Sequence, residues 1–451
     1  MVLRRHMFMA LIAAGLSAGG TPGMAAAPES LENILATVQE ESAAVRAQQD
    51  TPAPAGVPVA ATPAVLDRGS APAAPVSAAP TSPAPASAAP ASAAVPVAAP
   101  ANLPPVVAEP PRVFAPPAAP ATTTFQFLPL LPSASDMSAI PALWPLLSSQ
   151  DLGASHDSIT RAVIILHNTD RNAATALARL QKLAGAVASG PEARTMILAP
   201  LFPTETERPV FKAALGAAAR DLTTWPADEW AYGGSSLVSE PRRPVSSMLA
   251  LDVLLLYLAD QKSFPSLRTV VIAGAGSGGD MVQRYALYGR APDILAGQQL
   301  TLRFVVAAAQ SYAYLTETRP RADGGFAPPS EAAQKDCATW HDYPYGTDVP
   351  NSYTRQTATD TVRQNFPARD VVFLYGAQDT QPAQDQNCAA KLQGASVKAR
   401  AENYESYVQS IFPDAQGLRF VALAGVGGGD KIWGSTCGIS VLFADGDCVK
   451  N

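Results

Sequence analysis

A serine stands in a small-residue turn near the middle of the chain, in a setting typical of a catalytic nucleophile. The segment AGAGSGGDMVQRYA (273–286) follows the apolar run TVVI (269–272), and its one serine is Ser277. A hydroxyl held at a sharp turn between a strand and a helix can attack an acyl carbon, provided that an imidazole accepts its proton. The turn AGSGG is only a loose form of the G-x-S-x-G motif, with alanine in the first glycine position, so by itself it is weak evidence.

The residues around this turn resemble the nucleophile region of a group of secreted α/β-hydrolases, in which a strand leads into a GHSAGGQ-type turn and an xRYA helix. The resemblance covers most of residues 160–445. Besides the nucleophile turn it includes an oxyanion-type loop, LHNTDRNA (166–173); the next strand, RFVVAAAQSYAYL (303–315); a segment over the active site, HDYPYGTDVPNSY (341–353); an acid turn, FLYGAQDTQP (373–382); and a histidine turn, FVALAGVGGGDKIWGS (420–435).

The resemblance implies an α/β-hydrolase fold, but the catalytic positions depart from the family pattern. Counted from the shared strand and helix, the family's nucleophile falls on Gly276, one position before Ser277. The family's catalytic histidine falls on Gly428, and its oxyanion-loop glycine falls on Asn168. Only the triad acid, Asp379, is retained. The resemblance therefore implies a degenerate triad.

The histidine count agrees with this interpretation. In a hydrolase of this fold, the nucleophile, the acid and the histidine follow one another in that chain order. The chain has four histidines, none of which follows Asp379: His6, His156, His167 and His341. Loss of a triad serine or histidine lowers kcat by about 10⁶. We therefore expect a protein that is catalytically impaired.

Two alternatives for these side chains stay open from the sequence. In the first, Ser277 acts as a displaced nucleophile with His341 or His167 as its base. Its side chain would then point roughly 100° around the helix axis from that of residue 276. Otherwise we expect His167 to fix the oxyanion-type loop by hydrogen bonds, together with Asn168, and His341 to be a partly exposed loop residue. Asp379 would then cap a turn, bind a cation or hydrogen-bond a ligand.

The elements that must position these residues alternate between short apolar runs and helical patterns. This alternation favours a mostly parallel central sheet with helices on both faces. A long excursion at 323–353 predicts a lid-like insertion. Six strands are predicted, at 162–166, 195–199, 269–273, 303–307, 371–375 and 419–423, and helices at 173–183, 248–259 and 279–287 among others.

The first quarter of the chain has a different composition. Residues 1–27 carry two arginines and a short apolar run, which is typical of a secretory signal peptide. Residues 28–49 predict a short amphipathic helix, and residues 50–124, rich in proline and alanine, predict a disordered linker. The folded domain is then residues 125–451, and the protein is expected to be exported to the periplasm or the exterior.

The net charge and the cysteine content exclude further kinds of partner and site. A formal net charge of −6 argues against a nucleic-acid partner, and no stretch after the signal predicts a membrane span. The glycines at 274–279 and 425–429 do not fit nucleotide-binding motifs, so no cofactor is expected, and the cysteine spacing does not suit a metal. In an oxidising compartment four cysteines predict two disulfides. Three pairings are open, of which we favour Cys437–Cys448 and Cys337–Cys388.

Three functions are compatible with these features. The first is a pseudo-hydrolase with a binding or scaffolding role in the cell envelope, toward a small ester, a glycan or an envelope protein. The second is a secreted serine esterase that uses Ser277. The third is an envelope protein whose partner binds the predicted helix within 28–49. An accessible Ser277 beside an imidazole would favour the esterase, an open pocket at Gly276 and Gly428 a binder, and a pocket filled by side chains a scaffold.

Overall fold

The computed structural model describes residues 124–130, 142–187, 194–237, 243–444 and 448. The predicted signal peptide, the predicted amphipathic helix and all but the last residue of the predicted linker lie outside the described residues. Among the residues described, no helix is both long and apolar enough to cross a membrane.

An eight-stranded sheet forms the centre of the domain, with the strand order β1-β2-β4-β3-β5-β6-β7-β8. β2 is antiparallel to both of its neighbours, and all the strands from β3 onward are parallel. This is the strand order of the α/β-hydrolase fold, which confirms the predicted fold class. The strands are β1 (Gln126–Leu130), β2 (Ala142–Ser148), β3 (Arg161–Leu166), β4 (Thr195–Pro200), β5 (Thr269–Ala275), β6 (Thr301–Ala307), β7 (Asp370–Gly376) and β8 (Leu418–Leu423).

The six predicted strands are confirmed as β3 to β8, each with ends within two residues of the prediction. β1 and β2 were not predicted. Each of them contains a proline, Pro129 in β1 and Pro145 in β2, and a proline within an apolar run argues against a strand because it cannot donate to the ladder. Both lie on the antiparallel side of the sheet, where β1 is the edge strand.

Helices cover both faces of the sheet. One buried apolar cluster packs α3, α4 and α9 against one face, and a second packs α1 and α10 against the other. The helices are α1 (Ala173–Gly185), α2 (Arg208–Leu215), α3 (Ser247–Leu258), α4 (Ser277–Tyr288), α5 (Ala291–Ile294), α6 (Glu331–Asp336), α7 (Thr359–Asn365), α8 (Cys388–Lys391), α9 (Val397–Ile411) and α10 (Thr436–Phe443). Every residue of α4 is buried, which fixes the turn at its start.

The chain between β6 and β7 forms an insertion that contains α6, α7 and a two-stranded ribbon, Arg319–Pro320 with Phe326–Ala327. Arg284 of α4 donates from Nη2 to the carbonyl of Pro344 in this insertion at 3.1 Å. A disulfide joins Cys337 in the insertion to Cys388 at the start of α8. This bridge and the second one, Cys437–Cys448, confirm the favoured pairing.

Candidate functional site

The turn between β5 and α4 has the backbone of a nucleophile elbow, but a glycine occupies its apex. Gly276 has φ 59° and ψ −124°, a conformation that strains any residue with a Cβ. Its N–H donates to the carbonyl of Ala307 at the end of β6, at 3.1 Å. A Cβ added to Gly276 would lie 2.5 Å from Oδ1 of Asn168. A side chain at the apex therefore requires Asn168 to move.

Asn168 fills the space beside this glycine. Its Oδ1 accepts a hydrogen bond of 3.0 Å from the backbone N–H of Ser277. In an active hydrolase of this fold, the N–H of the residue after the nucleophile donates to the oxyanion of the tetrahedral intermediate. If Gly276 takes the nucleophile position, as the motif spacing predicts, the N–H of Ser277 would be this donor, and here it is occupied by the Asn168 carboxamide oxygen.

His167 fixes the loop that carries Asn168. Its Nε2 accepts from the N–H of Phe202 at 3.1 Å, so Nδ1 carries the proton and donates to the carbonyl of Asn168 at 2.8 Å. The imidazole is 2% exposed, and its ring centroid lies 4.4 Å from that of Trp230. Burial lowers its pKa to about 4. Both nitrogens are occupied and the ring is neutral at pH 7, so His167 is not placed to accept a proton from Ser277.

A buried ion pair holds the same loop from its other end. Arg171 donates from Nε to Oε2 of Glu207 at 3.0 Å, and both side chains are less than 10% exposed. The N–H of Arg171 donates to the carbonyl of Asn168 at 2.9 Å, and Arg171 itself has a φ of 51°. Glu207 also accepts from the N–H of Thr204 at 2.7 Å. The position of Asn168 therefore depends on two other segments of the chain. One is 202–207, which bonds His167 and Arg171, and the other is the start of α4, which bonds Asn168 itself through Ser277.

Gly428, which the motif spacing places at the family's histidine position, lies beside Asp379. Gly428 has φ 104°, and a Cβ added to it would overlap Oδ2 of Asp379. Asp379 is half-buried, and burial raises the pKa of its carboxyl. Its backbone is fixed by two hydrogen bonds, one from its own N–H to Gly376 at 3.0 Å and one from the N–H of Lys398 at 3.2 Å. The carboxylate thus occupies the space that a histidine side chain at 428 would need.

His341, the second candidate base, is buried and not partly exposed as the sequence suggested. Only 5% of it is exposed, because the turn 341–348 closes over it, with the N–H of Asp348 donating to the carbonyl of His341 at 3.0 Å. Its Nε2 lies 3.2 Å from Oγ1 of Thr347, and Trp340 packs against the ring. Burial and the nearby Arg319 lower its pKa. No hydrogen bond in the described part of the chain joins His341 to Ser277.

Asp280, in the first turn of α4, has a buried carboxylate. Asp280 is 1% exposed, and its Oδ1 accepts from the N–H groups of Gln310 and Ser311 at 2.7 and 3.1 Å. Its nearest cation is Arg284, at 3.8 Å. Burial raises its pKa to about 6. Asp280 therefore ties α4 to the segment that follows β6, a contact between distant segments that has no local sequence signature.

No group of three or more His, Cys, Asp or Glu side chains able to hold a metal ion occurs among the described residues. The polar groups at the site are the Asn168 carboxamide, the Asp379 carboxylate, the Ser277 hydroxyl and backbone N–H groups.

The chain matches no protein-family model and no curated protein. Among solved structures it is similar to poly(aspartic acid) hydrolase-1 from Sphingomonas sp. KT-1, with 16% identity and a TM-score of 0.41 over 70% of this chain and 95% of that one. An IroE-like serine hydrolase from Shewanella oneidensis has 10% identity and a TM-score of 0.34, over 67% and 74% of the two chains. A probable hydrolytic enzyme from Pseudomonas aeruginosa PAO1 has 13% identity and a TM-score of 0.33, over 70% and 92%.

Proposed function

We propose that this chain is an exported α/β-hydrolase-fold protein that does not catalyse hydrolysis and has a binding or scaffolding role in the cell envelope. The hydrogen bond from the Ser277 N–H to Oδ1 of Asn168 carries the proposal. A donor that would stabilise the transition state of acyl transfer is occupied by the protein's own side chain.

The geometry at both replaced positions supports the same conclusion. The space for a side chain at 276 is taken by Asn168, and the space at 428 by Asp379. Glycine at each position satisfies a positive φ without strain. Because side chains fill both positions, the geometry favours a scaffold that offers its surface over a binder that encloses a small ester at the elbow.

For the competing function, an esterase that uses Ser277, no hydrogen bond within the described residues joins the Ser277 hydroxyl to an imidazole. General base catalysis needs an acceptor within hydrogen-bond reach of the hydroxyl. His167 bonds Phe202 and the carbonyl of Asn168, and His341 bonds Thr347. Export is a separate part of the proposal, and the two disulfides are compatible with it.

Fluorophosphonate labelling of the full exported chain tests the proposal, together with an assay on short- and medium-chain aryl esters. An active serine esterase serves as the reagent control, and Ser277→Ala is prepared in parallel. We expect neither labelling nor turnover in the native chain. Labelling and turnover that disappear in Ser277→Ala would refute the proposal and establish the esterase.

A series of variants that introduces a serine and a histidine tests whether Asn168 blocks the site. Gly276→Ser with Gly428→His should stay unreactive, because the Cβ of the new serine would lie 2.5 Å from Oδ1 of Asn168. Adding Asn168→Gly removes that obstacle and frees the Ser277 N–H, so the triple variant should react with the fluorophosphonate faster than the double one. Equal reactivity of the two variants would show that Asn168 does not block the site.

A further inference from the structure

The carboxylate of Asp379 has no partner in the described part of the chain: no N–H or O–H group donates to it, and no cation pairs with it. It is half-buried, and burial is the cause of its raised pKa. Carboxylates that have lost part of their hydration are stabilised by N–H donors. In a complete triad that donor is the imidazole Nδ1–H. Here glycine stands at the histidine position, and the acceptor is left without its donor.

The turn 425–429 meets this carboxylate at Gly428, where an added Cβ would overlap Asp379. A Cβ added to Gly425, Gly427 or Gly429 would meet no atom within 4 Å, and these three glycines are exposed. Val426, which is half-buried, carries the one side chain of the turn. A group that reaches Gly428 therefore has open space beside the neighbouring glycines.

The chemistry of the site selects the class of ligand. A divalent metal ion prefers several oxygen or nitrogen ligands, and Asp379 belongs to no group of three ligating side chains among the described residues. A guanidinium or ammonium group needs only one carboxylate, because its remaining N–H donors can bond backbone carbonyls and water. The chain carries a formal net charge of −6, which favours the approach of a basic partner.

We propose that Asp379 and the turn 425–429 form a binding site for a basic side chain, the guanidinium or ammonium group of a partner protein. The proposal rests on the proposed function, since it names the chemistry by which a non-catalytic domain would bind an envelope protein. Arginine fits better than lysine because its planar fork can bond both carboxylate oxygens.

The experiment is a titration of the full exported chain, labelled with ¹⁵N-glycine, with N-acetyl-arginine methylamide. N-acetyl-citrulline methylamide is the matched control, because it keeps the shape of arginine and lacks the charge. We expect the amide signals of Gly425, Gly427, Gly428 and Gly429 to shift with millimolar affinity for arginine, and the affinity to fall as salt is added. Lysine methylamide should bind more weakly, and citrulline at least tenfold more weakly.

Asp379→Asn tests the carboxylate itself, and Asp360→Asn, at an exposed aspartate in α7, is its control. We expect binding to weaken at least tenfold in Asp379→Asn and to be unchanged in Asp360→Asn. Equal binding of citrulline and arginine by the native chain would overturn the inference without relying on any variant, as would full binding by folded Asp379→Asn. Labelling of Ser277 by the fluorophosphonate would instead refute the proposed function, so the two failures are distinguishable.

Discussion

The backbone N–H of Ser277 donates to Oδ1 of Asn168 at 3.0 Å, across 109 residues of sequence. This bond joins the start of α4 to the loop after β3, the two segments that hold the reacting carbonyl in hydrolases of this fold. Because Asn168 also lies against the Cα of Gly276, the residue types at 168 and 276 are energetically coupled.

The first prediction concerns this coupling. Gly276→Ala should lower the free energy of unfolding by about 3 kcal/mol, because it combines backbone strain with overlap against Asn168. In the Asn168→Gly background the overlap is absent, and the loss should fall by roughly half. Urea unfolding of the four proteins in this cycle measures the difference.

Gly216→Ala is a suitable control for backbone strain alone. Gly216 has φ 55° and ψ −123°, close to the values of Gly276, and a Cβ added there would meet nothing within 4 Å. Its loss of stability should match that of Gly276→Ala in the Asn168→Gly background. Additive effects of Gly276→Ala and Asn168→Gly would contradict the contact described here.

The second prediction concerns Asp379 and Gly428. Gly428→Ala should destabilise the protein by about 1 kcal/mol more in the native background than in an Asp379→Ala background, because only in the former does the new Cβ overlap the carboxylate. The backbone strain at φ 104° and ψ −173° is the same in both backgrounds. Equal losses would show that the carboxylate is not what limits the space at 428. Thermal unfolding at constant pH is the measurement.

The third prediction concerns pH. The pKa of His167 is about 4 in the folded protein because the ring is buried, and it returns to about 6.5 on unfolding. The unfolded chain therefore binds a proton that the folded chain excludes between these values, so stability is complete above pH 6.5 and falls as pH decreases toward 4. The loss at pH 4 should be of the order of 3 kcal/mol.

The experiment for His167 is a series of urea unfolding curves from pH 7 to pH 4 on the native chain and on His167→Gln. Asp280 acts in the opposite direction, because its raised pKa of about 6 makes the folded protein hold a proton more tightly in the same range. The difference between the native chain and His167→Gln isolates the histidine. A difference that does not change with pH would contradict burial of a neutral ring.

The fourth prediction compares the two disulfides. Cys337 and Cys388 are 51 residues apart, whereas Cys437 and Cys448 are 11 apart. In the chain-entropy description the longer loop gives the larger stabilisation, about 4 kcal/mol against about 3. Replacing the first pair by serine should therefore lower the unfolding midpoint in urea more than replacing the second.

Hydrogen exchange adds a local measurement to that comparison. Loss of Cys337–Cys388 should raise exchange rates in the insertion around Trp340 and Tyr345, which pack with this bridge. Loss of Cys437–Cys448 should leave those rates unchanged. Equal protection of the insertion in both variants would show that the bond from Arg284 to Pro344 holds it without the disulfide.

The parallel part of the sheet was predictable because its strands are buried on both faces and read as continuous apolar runs. β3 shows this directly, since all of its residues are buried. β1 and β2 were missed because proline interrupts both of them. Their place in the sheet is set by pairing, of β2 with β4 and of β1 with β2, rather than by their own composition.

The contacts of the candidate site were not predictable from the sequence. The motif spacing singled out Gly276, Asn168, Asp379 and Gly428, because a motif is a local pattern, and the roles assigned to these residues stay predictions. That Asn168 and Asp379 occupy the space above the two glycines depends on packing between segments distant in sequence. The burial of His341 was also missed, because the turn that covers it is closed by backbone hydrogen bonds with no periodic signature.

The contact between Asn168 and Gly276 also constrains how this gene can evolve. A single codon change to serine at 276 would place its Cβ against the carboxamide, so we expect it to destabilise the protein unless Asn168 moves. A change at Asn168 alone would leave the Ser277 N–H without its acceptor. Each single substitution is therefore disfavoured, and positions 168 and 276 should vary together among relatives of this chain.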